Sequence, residues 1–202
     1  MSRLGFENEN KDLGWQAWMA PPSSLFYVHD TKKEPINVEI GAVHYFPDRP
    51  THTPLARRDL HWLLRWHLED VNGHPYYRVI EIRVEKQDDT SKKEMGLFPQ
   101  VFTNWGPVTR SIPYADTTLW IKIGAPSLKQ RRDLERIAAA ERVRYPRRND
   151  PWNCQDWLKT VLGKAVMAGI FSGTAVHSAY AMLEGYETLN ASIAHQPRAI
   201  RY

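Results

Sequence analysis

From Val38 to Tyr45 the chain alternates: Val38, Ile40, Ala42 and His44 against Glu39, Gly41, Val43 and Tyr45. A period of two is that of a strand. The pattern predicts a strand over Ile36–Phe46, preceded by a short one at Leu25–Val28. Leu60–Glu69 and Tyr76–Glu85 are rich in β-branched, aromatic and leucine residues, and Val71-Asn72-Gly73-His74 lies between them. Asn-Gly tolerates the positive φ angles of a tight turn, so the two arms form a hairpin. Further strands are expected at Gly96–Thr103 and Thr117–Ile123.

After Gly124 the spacing lengthens to that of helices. Ser127 and Gln130 are placed as a capping box, in which each side chain meets an unpaired amide at a helix start. The helix runs from there to about Val143, with Leu128, Leu134, Ile137 and Val143 inward, and Pro146 ends it. A second helix starts near Asp150–Cys154 and runs to about Gly169. Its inward face is Trp157, Leu158, Val161, Leu162, Ala165 and Ala168. A third covers Ser178–Tyr186. Strands come first and helices follow, which is α+β rather than an alternating parallel sheet. Residues 1–23 read as a loosely held arm, 24–190 as one domain and 191–202 as a tail.

Composition narrows the function classes. The 202 residues contain one cysteine, Cys154, so there is no internal disulfide and no cluster of thiolates for zinc or iron–sulfur. No metal or organic cofactor is implied. The N-terminus lacks an apolar signal region, and the longest apolar stretch, Val161–Val176, is too short and too interrupted to span a bilayer. The expectation is a cytoplasmic protein with no membrane span. The net charge of +4 is mild, but it is unevenly spread. Between Pro126 and Arg148 eight basic residues face three acidic ones, an excess larger than that of the whole chain. A solvated helix face accounts for such a run. Arg147 and Arg148, just ahead of the cysteine, are also placed to bind phosphate.

Cys154 lies in Asp150-Pro151-Trp152-Asn153-Cys154-Gln155-Asp156-Trp157. Asp150 or Asn153 can cap the helix, and either choice puts Cys154 in its first turn. There the unpaired amides and the positive end of the helix dipole stabilise a thiolate, the nucleophilic form. A buried core thiol satisfies the same pattern. His61 is the candidate base, on a strand whose one face holds His61, Leu63, Arg65 and His67 and whose other holds Trp62, Leu64 and Trp66. His74, just beyond the turn, is the candidate for orienting the imidazole. His44 and His67 are rival histidines, and Glu81 competes with His74.

A strand beginning His61-Trp62, followed by a helix opening Trp152-Asn153-Cys154-Gln155-Asp156-Trp157, resembles a circularly permuted papain-like cysteine fold. In that arrangement the histidine strand precedes the cysteine helix. A fungal domain family of uncharacterised function has a similar histidine–tryptophan strand and asparagine–cysteine–glutamine helix start. Asn153-Cys154 is also similar to the cysteine motif of the lecithin:retinol acyltransferase-like and PPPDE peptidase-like families. The resemblance covers Leu60 to Gly173. It implies an antiparallel sheet carrying the histidine, then the cysteine helix, with Cys154, His61 and His74 as the catalytic set.

The chemistry so implied is acyl transfer through a thioester, by a hydrolase or by an acyl or aminoacyl transferase. Cys154 attacks a carbonyl and His61 carries the proton. The amide of Cys154, with Asn153 and Gln155 as side-chain donors, holds the oxyanion. Trp62, which flanks the site in sequence, reads as core or rim, or as a substrate-binding residue of a cleft that takes an apolar or planar group. The substrate class is a small-molecule, peptide or carrier-bound acyl group. Arg147 and Arg148 suit a phosphate-bearing donor such as coenzyme A, a carrier protein or a charged tRNA. Two other readings stand beside this one: an inactive relative that binds a peptide or protein in the same groove, and a basic tRNA- or RNA-associated module. The absence of an RNA-binding motif and of a glycine-rich phosphate loop weighs against the last.

Overall fold

The structure, a computed structural model, describes residues 30–44, 60–71, 73–86, 100–111, 119–144 and 152–194. Its strands are β1 (Val38–His44), β2 (Leu60–Val71), β3 (His74–Ile80), β4 (Arg83–Lys86), β5 (Gln100–Thr103), β6 (Val108–Ser111) and β7 (Leu119–Gly124). Its helices are α1 (Leu128–Ala140), α2 (Cys154–Met167) and α3 (Gly173–Ala194). Five strands form an antiparallel sheet in the order β6-β3-β2-β1-β7, and β4 and β5 pair separately. The class is α+β, as the order of patterns implied. β6 was not anticipated, and α3 is longer at both ends than expected, passing through residues 191–194 of the supposed tail. The arm at 1–23 and the strand at Leu25–Val28 lie outside the described residues.

The hairpin forms where Asn-Gly placed it. Val71 pairs with His74, and Gly73 has φ +78°. Alternation along β2 then sorts the side chains. Trp62, Leu64 and Trp66 go to the face covered by the helices, with Ile40, Ala42, Ile80, Ile121 and Ile123. α2 adds Trp157, Leu158, Val161, Leu162 and Ala165 to this core, while Ala168 at its end is exposed. Trp62, Trp66 and Trp157 are completely enclosed. Removing such a side chain costs about 3–5 kcal/mol. The opposite face carries a smaller cluster of Val43, Leu63, Val79, Trp105 and Val108. Here Gly41 lets Trp120 lie flat: a Cβ at Gly41 would sit 2.4 Å from the ring.

Buried charge fixes α1. The Ser127–Gln130 capping box forms as expected. Arg131, one of the eight basic residues, is no solvated side chain. It is fully buried, donates to both Asp30 oxygens, and Asp30 also accepts from Trp66 Nε1 at 3.0 Å. Arg132 is likewise engaged, on Glu135 and the Asp30 carbonyl. Part of the basic excess is therefore structural. No described helix is long and apolar enough to cross a membrane.

Candidate functional site

α2 starts at Cys154 because Asn153 caps it. Asn153 Oδ1 accepts from the Gln155 amide at 2.9 Å, and Asp156 Oδ2 accepts from the Asn153 amide at 3.0 Å, completing a capping box. The Trp157 amide goes to the Asn153 carbonyl. Of the first-turn amides, the cap leaves that of Cys154 unused. Gln155 then ties the helix to the sheet, its Nε2 donating to the Leu60 carbonyl at 3.1 Å. Leu60 precedes His61, so this one bond brings the first turn of α2 to the start of β2.

There the sulfur and the imidazole meet. Cys154 and His61 are joined by a side-chain hydrogen bond, and His61 Nε2 lies 3.0 Å from Glu81 Oε2. All three residues are buried: Cys154 is 6% exposed, His61 3% and Glu81 3%. Burial pushes the imidazole towards neutrality. The charge and hydrogen bond of Cys154, then those of Glu81, outweigh it and lift His61 to about 9. Glu81 in turn receives Arg110 Nη2 on Oε2 at 2.8 Å and Arg83 Nε on Oε1 at 2.9 Å. Burial raises its carboxyl, but Arg110, His61 and Arg83 together hold it well below the usual carboxylate range. A permanently ionised carboxylate behind an imidazole fixes the ring and favours its protonated form.

The third position is thus filled by Glu81 and not by His74. His74 is exposed and pairs with Val71, ten residues along β2 from His61. At strand rise that is about 30 Å away. Glu81 reaches the site because the chain leaves β3 at Ile80 and enters β4 at Arg83, so Glu81 sits where one sheet hands over to the other. His67 is also remote, bonded to Asp70 at 2.9 Å on the exposed part of β2. His44 pairs with Leu60, one register position from His61, and its side chain lies outside the described residues.

Other expected site residues have different roles. Trp62 points to the helix-covered face, 1% exposed and stacked on Tyr180 at 5.8 Å, so it is core and lines no cleft. The Asn153 carboxamide oxygen caps the helix, and Gln155 Nε2 donates one hydrogen to the Leu60 carbonyl, so both side chains are anchored at the first turn of α2. Arg147 and Arg148 lie outside the described residues. Arg83 and Arg110 escaped sequence reasoning. Arg110 reaches Glu81 only through the pairing of β3 with β6, and no local motif marks that. No group of three or more metal-binding side chains occurs among the described residues.

Comparison with protein-family models, with curated proteins and with solved structures gave no match.

Proposed function

We propose that the chain is a cysteine-dependent acyl-transfer enzyme of circularly permuted papain-like architecture, acting through a thioester on Cys154. The observation that carries the reading is the buried relay of Cys154, His61 and Glu81. A core thiol needs no imidazole, and a core histidine needs no carboxylate held ionised by two arginines. Buried charges are costly unless they are paired, and perturbed titratable groups concentrate at functional sites.

In the proposed reaction the Cys154 sulfur gives its proton to His61 and attacks the acyl carbonyl carbon, forming the C–S bond. The oxyanion so produced is held by the Cys154 amide at the start of α2. Collapse expels the leaving group, which takes the proton from His61, and a thioester remains. Water, an alcohol or an amine then attacks the thioester, with His61 again taking the proton. Glu81 stays ionised throughout and keeps the imidazole turned towards the sulfur. Asn153 and Gln155 position the nucleophile by fixing where α2 begins.

The test is a burst experiment with a small activated ester such as p-nitrophenyl acetate. A burst of nitrophenolate near one equivalent, with an acetyl group on Cys154 by mass spectrometry and neither in Cys154→Ala, supports the reading. No burst and no acyl-cysteine would overturn it. One observation favours the inactive-relative reading: Cys154 is 6% exposed and packs with the core. Under that reading Cys154→Ala leaves slow ester hydrolysis unchanged.

A further inference from the structure

The cluster around Glu81 holds one more positive charge than negative. Glu81 faces two guanidiniums, Arg83 at 2.9 Å and Arg110 at 2.8 Å. Among the described residues neither arginine reaches a second carboxylate. Including the nucleophile does not alter the count, because a neutral cysteine–histidine pair and a thiolate–imidazolium pair both sum to zero. Both carboxylate oxygens are already used, Oε1 by Arg83 and Oε2 by His61 and Arg110. Arg110 Nε is buried and has no acceptor among the described residues. The arginine side chains are 22% and 17% exposed. They are enclosed enough to act through a lowered dielectric and open enough to be approached.

We infer that Arg83 and Arg110 form a subsite for an anionic group of the substrate, so that the acyl compound accepted carries a carboxylate or a phosphate near its scissile carbonyl. The contacts from Arg110 through Glu81 and His61 to the sulfur span roughly 10 Å at ordinary hydrogen-bond lengths. An anion on the arginines therefore lies about 10 Å or less from the sulfur, a reach of up to about eight bonds from the carbonyl under attack. Guanidinium forks suit both oxyanions. The arrangement also gives Glu81 a second use. It cancels one arginine and leaves the other's charge for the ligand.

This inference rests on Cys154 being the nucleophile, and paired alkylating reagents separate the two claims. Iodoacetamide is neutral and iodoacetate is an anion of similar size. In both reactions the thiolate displaces iodide, forming a C–S bond and breaking the C–I bond. The readout is the ratio of their rate constants at Cys154, divided by the same ratio for glutathione. A unit charge at this range raises local anion concentration about three- to fivefold in an intermediate dielectric. The expected normalised ratio is therefore about threefold or more in the wild-type chain at low salt. It falls in Arg83→Gln and recovers in Arg83→Lys. The drop in Arg83→Gln distinguishes the arginine from the His61 imidazolium, which the variant retains.

A normalised ratio near one, or a ratio unchanged in Arg83→Gln, would overturn the subsite while leaving the nucleophile intact. If neither reagent modifies Cys154 faster in the folded chain than in urea, the nucleophile fails and the subsite falls with it. Protection of Cys154 by acetate or by inorganic phosphate says which oxyanion is taken, and protection by neither counts against the subsite.

Discussion

Replacing Glu81 by glutamine tests the relay with little change of shape. The glutamate accepts three charge-assisted bonds, from His61 at 3.0 Å, Arg83 at 2.9 Å and Arg110 at 2.8 Å. An amide can keep its oxygen where Oε2 was, preserving two of them as weaker bonds. Its NH2 then opposes Arg83 Nε, donor against donor. Breaking a buried ion pair costs about 3–5 kcal/mol. Arg83 is 22% exposed and can recover some hydration, so about 2–3 kcal/mol is expected. In a chain of this size that lowers Tm by roughly 4–12 °C. The assays are urea unfolding and the NMR titration of the His61 ring. His61 titrates at about 9, above its ordinary 6.5. Its contribution to stability is therefore complete below about 6.5 and is lost as pH rises through about 9. Glu81→Gln removes one of the two partners that raise it, so the midpoint falls and the stability gap from wild type narrows towards pH 10. A variant within about 0.5 kcal/mol of wild type, with an unmoved His61 midpoint, would refute the claim that Glu81 holds the imidazole.

Three further substitutions probe other links. Asn153→Ala removes the cap of α2 and is expected to cost about 1 kcal/mol in urea unfolding. It also slows Cys154 alkylation because the first turn is no longer fixed, and an unchanged rate would separate the cap from the site. Gly41→Ala places a Cβ 2.4 Å from the Trp120 ring and is expected to destabilise by about 1–3 kcal/mol with a change in tryptophan fluorescence. Full stability would mean that Trp120 packs elsewhere. His74→Ala is expected to stay within about 0.5 kcal/mol of wild type and to leave the His61 titration untouched. A large effect on either would return His74 to the site.

Local chemistry was the readable part of this sequence. The hairpin followed from Asn72-Gly73 and α1 from the Ser127–Gln130 box, and a cap at Asp150 or Asn153 put Cys154 in the first turn of α2, Asn153 being the one that forms. Alternation along β2 put His61 on one face and Trp62 on the other. The same alternation favoured the core reading of Trp62 over the cleft one, and the core is where it lies. What escaped reading depends on contacts distant in sequence. Glu81 meets His61 across 20 residues and Arg110 across 29. Those meetings require a strand to leave one sheet for another and an unanticipated β6 to pair with β3. His74 was favoured because it follows His61 on the next arm of the hairpin, where the resemblance implied a second histidine, yet an antiparallel hairpin carries its turn away from the strand's start. The basic run misled for a related reason, since burial of Arg131 on Asp30 spans 101 residues.

The central claim is that Cys154 and His61 act as a nucleophile–base pair, and the pH profile of Cys154 alkylation by iodoacetamide tests it most directly. Cys154 in the folded chain should react faster at neutral pH than the same thiol in urea, and should keep reacting into mildly acidic solution. That acidic limb should disappear in His61→Ala. A thiol that reacts slowly throughout, or a profile identical in wild type and His61→Ala, would contradict the account and leave Cys154 as a core sulfur.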